Sequence, residues 1–244
     1  MGLINRIYEY KLFKLNLIRK TFKSIYKLFY NNNIFIVLIR KPINTFILPL
    51  FKYNEIYNKD ASIWEDEILH KTEWFAKIEN EYEKKFINYV LSNTNPNDAI
   101  LDICCNQGRF LKELKRNNYN NLSGFDIMKS AINLLKNSYE YKAGGIYAEH
   151  NLAQNYIKYS KNNFYDYAIT YTASIELLHP NFNIFNELYR ITRKGFIFVI
   201  AENLHYYPRF YRLMIKRAGF TKEKTLKISP TLTLMHYIKN DKIF

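Results

Sequence analysis

The chain has 244 residues, a formal net charge of +14 and 48% hydrophobic residues. This length fits one domain with an extension, and the apolar content excludes an intrinsically disordered chain. The two cysteines, Cys104 and Cys105, are adjacent in the sequence. They exclude an intrachain disulfide framework and provide no CxxC-type metal spacing, so we predict no metal site. Their scarcity agrees with a reducing cytoplasm.

Residues 1–60 form a basic, aromatic N-terminal extension. Eleven Lys and Arg residues stand there against three acidic ones, Glu9, Glu55 and Asp60. We favour a helical extension that packs on the following domain. The alternative is peripheral contact with an anionic membrane at its cytoplasmic face. Ile34 to Phe51 is the most apolar stretch, but Arg40, Lys41 and Pro42 interrupt it. No run approaches the ~20 apolar residues of a membrane-spanning helix.

Residues 61–94 predict one long amphipathic helix that leads into the core. Ser62 and Glu65 have the spacing of a capping box. Large apolar side chains, among them Trp64, Trp74 and Phe86, recur at helical spacing after them. A turn cluster over residues 92–98 ends this helix.

From residue 95 to 244, strand and helix patterns alternate. Apolar strand patterns occur at residues 99–103, 122–127, 145–149, 165–171, 195–201, 225–228 and 232–238. Helical patterns occur between them at residues 109–115, 131–135, 152–159, 184–191 and 209–218. This alternation predicts parallel strands with crossover helices, while the short turn at Ser229 and Pro230 predicts an antiparallel edge. The expected fold is α/β, a doubly wound, Rossmann-like and mostly parallel seven-stranded sheet with a helical N-terminal extension.

The first predicted strand ends in a tight turn that opens a helix, where doubly wound sheets bind nucleotides. Asp102 lies in this strand, and Cys104, Asn106 and Gly108 follow at alternate positions. A dinucleotide fingerprint would need glycines at positions 104, 106 and 109, and none is present. The pattern instead resembles the signature of the class I S-adenosylmethionine-dependent methyltransferases, in which an acidic residue precedes glycines at alternate positions.

The resemblance implies S-adenosylmethionine as cofactor, although this turn departs from the family pattern. Only Gly108 keeps the glycine. Asn106 tolerates left-handed backbone geometry, whereas the side chain of Cys104 would narrow the space beside the methionine part of the cofactor. Weaker binding, a shifted pose and loss of activity are the three consequences that the sequence leaves open.

The resemblance extends to further cofactor residues along the chain. Asp126 ends the second strand 18 residues after Gly108 and is expected to accept both ribose hydroxyls, with Ile127 beside it. Asn151 aligns with an acid that binds the adenine amino group in the family, and Glu149 is the alternative. Thr170, at the end of the fourth strand, is expected near the methionine or the acceptor.

The acceptor is expected at the loops after strands four and five, which contain His179, Glu202 and His205. Methyl transfer needs an aligned acceptor and, for a hydroxyl, a base, which a histidine can supply near neutral pH. Glu202 is placed to bind an acceptor hydroxyl or amine. The absence of an Asn-Pro-Pro-Tyr type motif makes nucleic acid a less favoured acceptor.

We therefore expect a cytoplasmic methyltransferase that acts on a small-molecule, glycan or lipid-linked acceptor, by O-methylation. Two alternatives stay open at this point. One is an RNA methyltransferase that uses the basic N-terminal region as a handle. The other is a non-enzymatic binding module with a degenerate methyltransferase fold.

Overall fold

The computed structural model describes residues 34–50, 76–172, 174–203 and 207–239. The chain divides into two compact units, residues 1–40 and residues 41–244. The first described elements are helix α1 (Ile34–Pro42), a π-helical turn (Ile43–Ile47) and a 3-10 turn (Leu48–Leu50). No helix in these described ranges is long and apolar enough to cross a membrane. The predicted capping box at Ser62 and Glu65 lies outside them.

The predicted helix over residues 61–94 is not helical throughout the part that the structure describes. Residues 76–80 are not helical, and helix α2 spans Glu81–Asn93. Asn80 has an extended backbone, and its side-chain oxygen accepts a hydrogen bond from the Glu83 backbone N–H at 2.8 Å. This cap satisfies an N–H that has no partner within the helix, which explains why helix α2 begins where it does.

A seven-stranded sheet forms the centre of the second unit, with strand order β3-β2-β1-β4-β5-β7-β6. The strands are β1 (Ile100–Ile103), β2 (Leu122–Asp126), β3 (Ile146–His150), β4 (Tyr165–Tyr171), β5 (Thr192–Ile200), β6 (Phe220–Lys227) and β7 (Thr233–Lys239). Strands β1 to β5 pair in parallel, whereas β7 pairs antiparallel with both β5 and β6. This topology confirms the predicted α/β fold with a mostly parallel seven-stranded sheet and an antiparallel edge.

Within the described residues, six helices accompany the sheet after α2. They are α3 (Arg109–Arg116), α4 (Lys129–Asn137), α5 (Tyr139–Lys142), α6 (Ala153–Tyr159), α7 (Ile184–Ile191) and α8 (Tyr211–Arg217). Buried side chains form two apolar clusters. One contains residues of α6, α7 and α8, and the other contains residues of α2, α3 and α4. Sheet residues belong to both clusters, as expected for a doubly wound sheet covered on both faces.

Strand β1 lies between β2 and β4, so the chain order reverses beside it. In open α/β sheets, ligands bind in the crevice at the carboxyl ends of the strands at such a switch point. The turn after β1, the end of β2 and the end of β4 all meet at this edge. The fold therefore brings the motifs of the sequence together.

Candidate functional site

The turn after β1 keeps left-handed geometry at the three alternating positions of the signature. The φ angles are 57° at Cys104, 50° at Asn106 and 66° at Gly108. The Gly108 N–H donates to the Cys105 carbonyl at 2.8 Å and closes the turn. A Cβ atom on Gly108 would lie 2.7 Å from the Leu135 side chain. A side chain at position 108 would therefore be strained by the positive φ and would displace Leu135, whereas Cys104 and Asn106 adopt the left-handed backbone with their side chains present.

Asp126 holds this turn in place through its carboxylate. One oxygen accepts the Asn106 backbone N–H at 2.8 Å, and the other accepts the Met128 backbone N–H at 2.9 Å. Asp126 is buried, so these charge-assisted hydrogen bonds are shielded from water. The sequence predicts a ribose contact for Asp126, but this second role in shaping the turn comes only from the structure.

Asp102 is a buried acid immediately before the turn. Its Oδ2 is buried and has no hydrogen-bond partner within the described ranges. Burial raises the pKa of Asp102 to about 8; the positive charge of Arg109 opposes this rise and the negative charge of Asp126 adds to it. A buried carboxyl oxygen with an unmet hydrogen bond is suited to a ligand that brings a cation or an N–H donor.

The adjacent cysteines are held as thiols. Burial raises the pKa of both thiols well above the usual value, and the nearby charges of Asp102 and Asp126 raise it further. Cys104 is half-buried and packs against an apolar cluster, while Cys105 is buried. A thiol that stays protonated is a poor nucleophile, so their environment indicates packing beside the site and no covalent chemistry.

The end of β3 lies beside the end of β2. The Asn151 backbone N–H donates to the Asp126 carbonyl at 3.0 Å. The Asn151 side chain donates to Glu149 Oε1 at 2.6 Å, so the two candidate adenine contacts are hydrogen-bonded to each other. Ile127 follows Asp126 and is half-buried. The structure thus brings Asp126, Ile127 and Asn151 together, and their individual contacts with a cofactor stay predictions.

Thr170 connects the end of β4 with the end of β1. Its buried hydroxyl donates to the Ile103 carbonyl at 3.0 Å and lies 2.5 Å from the Ser174 hydroxyl. Thr170 is therefore next to the turn, as predicted, but its hydroxyl has protein partners. Its contribution to cofactor binding stays a prediction.

Two buried charged residues join the loops after β4 and β5. Glu176 accepts the Ser174 backbone N–H at 3.2 Å and the Ala201 backbone N–H at 3.1 Å. Arg209 donates to the Leu178 carbonyl at 2.9 Å and to the Ile175 carbonyl. Sequence reasoning did not select Arg209, because nothing in its local pattern shows that the side chain is buried.

The predicted catalytic residues have different surroundings. His179 is buried, its Nδ1 lies 2.8 Å from Asn181 Oδ1, and its ring packs edge to face on Tyr207 at 5.2 Å between centroids. Glu202 accepts a hydrogen bond from Arg212 at 2.8 Å, as part of an ion pair. His205 lies outside the described residues. The roles of all three stay predictions.

Comparison with known proteins identifies the domain that carries this site. Residues 100–195 match a family model described as a methyltransferase domain. The domain formed by these residues is therefore a methyltransferase domain. The matched range contains the turn after β1, the end of β2 and the loop after β4. A search of curated proteins finds no match to the chain.

Solved structures show the fold of this methyltransferase domain in other proteins. Magnesium protoporphyrin IX methyltransferase from Synechocystis PCC 6803 with bound SAM is 13% identical, with 83% of this chain and 96% of that chain covered, at a TM-score of 0.54. A TehB-like SAM-dependent methyltransferase from Corynebacterium glutamicum is 13% identical, with 77% and 100% covered, at 0.51. The [4+2]-cyclase SpnF is 10% identical, with 75% and 96% covered, at 0.60. At these identities the similarity establishes the fold alone.

Proposed function

We propose that the protein binds S-adenosylmethionine at the turn after β1 and transfers its methyl group to a hydroxyl of a small-molecule, glycan or lipid-linked acceptor. The observation that carries the proposal is the buried Oδ2 of Asp102 beside a turn with three left-handed residues. A dinucleotide site would instead require glycine at position 109, where the chain has Arg109.

The residues of the turn fit this cofactor chemically. Its ammonium and sulfonium groups are cationic, and a cation near Asp102 would favour the ionised carboxylate and satisfy its buried oxygen. The cofactor's ribose hydroxyls are donors, and an ionised carboxylate offers about four lone-pair sites. Asp126 can therefore hold the turn and also accept hydrogen bonds from the ribose. Asn151 and Glu149 are the proposed partners for adenine.

The bound cofactor supplies an activated methyl group and a good leaving group. The protein then has to align the acceptor and remove the proton of its hydroxyl. We assign the base to His179, since it lies on the loop after β4 and packs against Tyr207 of the loop after β5. As the acceptor oxygen bonds to the methyl carbon, its proton passes to the imidazole and the carbon–sulfur electron pair stays on sulfur. His205 is the second candidate base, and Glu202 is the candidate partner of the acceptor hydroxyl.

Transfer of a radioactive methyl group from S-adenosylmethionine tests the proposal. The purified chain is incubated with labelled cofactor and with lipid, water-soluble small-molecule and glycan, or RNA fractions of cells. We expect label in the lipid or water-soluble fraction, and much less label with His179→Ala. Label confined to RNA would overturn the acceptor class. Cofactor binding without label in any fraction would instead indicate a binding module.

A further inference from the structure

Apolar side chains are exposed beside the loop after β5. Five of them, between 36 and 79% exposed, come from the turns after α1 and from the N-terminal part of α8: Phe46, Ile47, Leu50, Phe210 and Leu213. We call this set the apolar patch. Single exposed apolar residues are common, but a group from two separate segments indicates an interaction surface.

The two segments of the apolar patch are fixed to each other. Asn44 Nδ2 donates to the Pro208 carbonyl at 2.9 Å, and the Phe210 backbone N–H donates to Thr45 Oγ1 at 3.1 Å. The rings of Phe46 and Phe210 lie 6.2 Å apart between centroids. Asn44 and Thr45 are buried by these contacts, so the aromatic residues that adjoin them are held outward on a defined surface.

The charged residues within the two segments of the apolar patch are all basic. Residues 41–50 and 207–217 contain no acidic residue. Lys216 and Arg217 are exposed on α8, and the Arg217 guanidinium carbon lies 5.5 Å from the centroid of the Phe46 ring. Residues 210, 213 and 217 recur at helical spacing, which places aromatic, aliphatic and basic groups on one helix face. Aromatic and aliphatic side chains with adjacent Lys and Arg are the composition of interfacial membrane-binding surfaces.

We propose that the apolar patch and its basic residues bind the surface of an anionic phospholipid bilayer. A phosphate-rich polymer such as RNA could neutralise the basic residues, but it would leave the five apolar side chains of the patch exposed to water. A second protein copy would bring equally basic segments face to face. An anionic bilayer complements both features, and the net charge of +14 adds long-range attraction.

The position of the patch connects this surface with the proposed acceptor. Pro208 and Phe210 flank Arg209, whose side chain contacts the loop after β4. Attachment through the patch therefore brings the acceptor loops close to the lipid headgroups. This favours the lipid-linked acceptor class, an inference that rests on the proposed function. Vesicle binding needs no cofactor, and cofactor binding needs no vesicle, so each proposal fails on its own measurement.

Vesicle co-sedimentation of the full chain tests the surface. We expect binding to an equimolar mixture of phosphatidylcholine and phosphatidylglycerol, little binding to phosphatidylcholine alone, and release at high salt. Each basic residue near an anionic surface contributes about fivefold to partitioning, so Lys216→Glu/Arg217→Glu should weaken binding by ~30-fold or more. Lys136→Glu/Lys142→Glu changes the net charge equally at exposed positions outside the patch and should have little effect.

A second pair of variants tests the apolar contribution. Phe46→Ser/Leu213→Ser should weaken binding by at least tenfold, whereas the exposed control pair Leu134→Ser/Tyr139→Ser should leave it unchanged. Equal binding to both vesicle types, or equal losses in patch and control variants, would overturn the proposal. A dimer that dissociates with Phe46→Ser/Leu213→Ser, without vesicle binding, would also overturn it and would identify a second copy as the occupant.

Discussion

Asp126→Ala should destabilise the protein even without cofactor, because the carboxylate of Asp126 holds the turn after β1. The substitution leaves two backbone N–H groups, of Asn106 and Met128, without their charged acceptor. A hydrogen bond to a charged group contributes about 1.5–3 kcal/mol. Removal of the Asp126 charge also lowers the pKa of Asp102, which offsets part of the loss. We therefore expect a net loss of about 2–4 kcal/mol in the free energy of unfolding.

Urea unfolding followed by circular dichroism, in the absence of cofactor, measures this loss. For a domain of this size each kcal/mol lowers the melting temperature by about 2–4 °C, so a decrease of roughly 10 °C should accompany it. Glu149→Ala is the matched control at the end of β3, because its carboxylate is partly exposed and accepts hydrogen bonds from the side chains of Tyr147 and Asn151. It should change stability by less than about 0.5 kcal/mol. Equal stability of Asp126→Ala and the control would refute a turn-holding role.

Three further predictions concern the same site. Cys104→Gly should tighten the binding of S-adenosylhomocysteine, measured by calorimetry, because removal of the side chain opens the turn; weaker binding would count against this. The free energy of unfolding should change by less than about 1 kcal/mol, because relief of the left-handed φ and the greater entropy of the unfolded state oppose each other. S-Adenosylmethionine affinity should rise as the pH approaches about 8 from below, because burial raises the pKa of Asp102 to about 8 in the free protein and a bound cation favours its ionised form. Proton release measured by calorimetry in two buffers checks this; a pH-independent affinity would contradict it, and Asp102→Asn should abolish the dependence. Arg209→Lys should reduce the rate of methyl transfer but leave the affinity for S-adenosylhomocysteine unchanged, because it loosens the loops after β4 and β5. A loss of cofactor affinity as large as the loss of methyl transfer would contradict this prediction.

The sequence predicts the central fold because its signals there are local. Strand β4 and helix α7 have the predicted bounds, Tyr165–Tyr171 and Ile184–Ile191. The predicted strand at residues 225–228 is too short, since β6 begins at Phe220. Lys222 and Lys224 are exposed and polar, so the sequence shows no apolar strand pattern at the start of β6. Pairing with β7 extends the strand over these residues.

The sequence predicts only part of the candidate functional site. The spacing of Asp102, Gly108 and Asp126 locates the turn, because a strand end and the following helix fix their relative positions. The contact of Arg209 with Leu178 joins residues that are 31 positions apart, and the contact of Glu176 with Ala201 joins residues 25 apart. Such contacts depend on how the sheet brings two loops together, which no local pattern encodes.

Calorimetric titration of S-adenosylhomocysteine tests the central claim, that the turn after β1 binds this class of cofactor. The wild-type chain should show saturable binding at one site. Asp126→Asn should weaken it by at least about tenfold, the loss expected for one charge-assisted hydrogen bond, while the exposed control Glu223→Gln should bind as the wild type does. Absence of saturable binding to the wild-type chain, or equal affinity of Asp126→Asn and wild type, would contradict the claim.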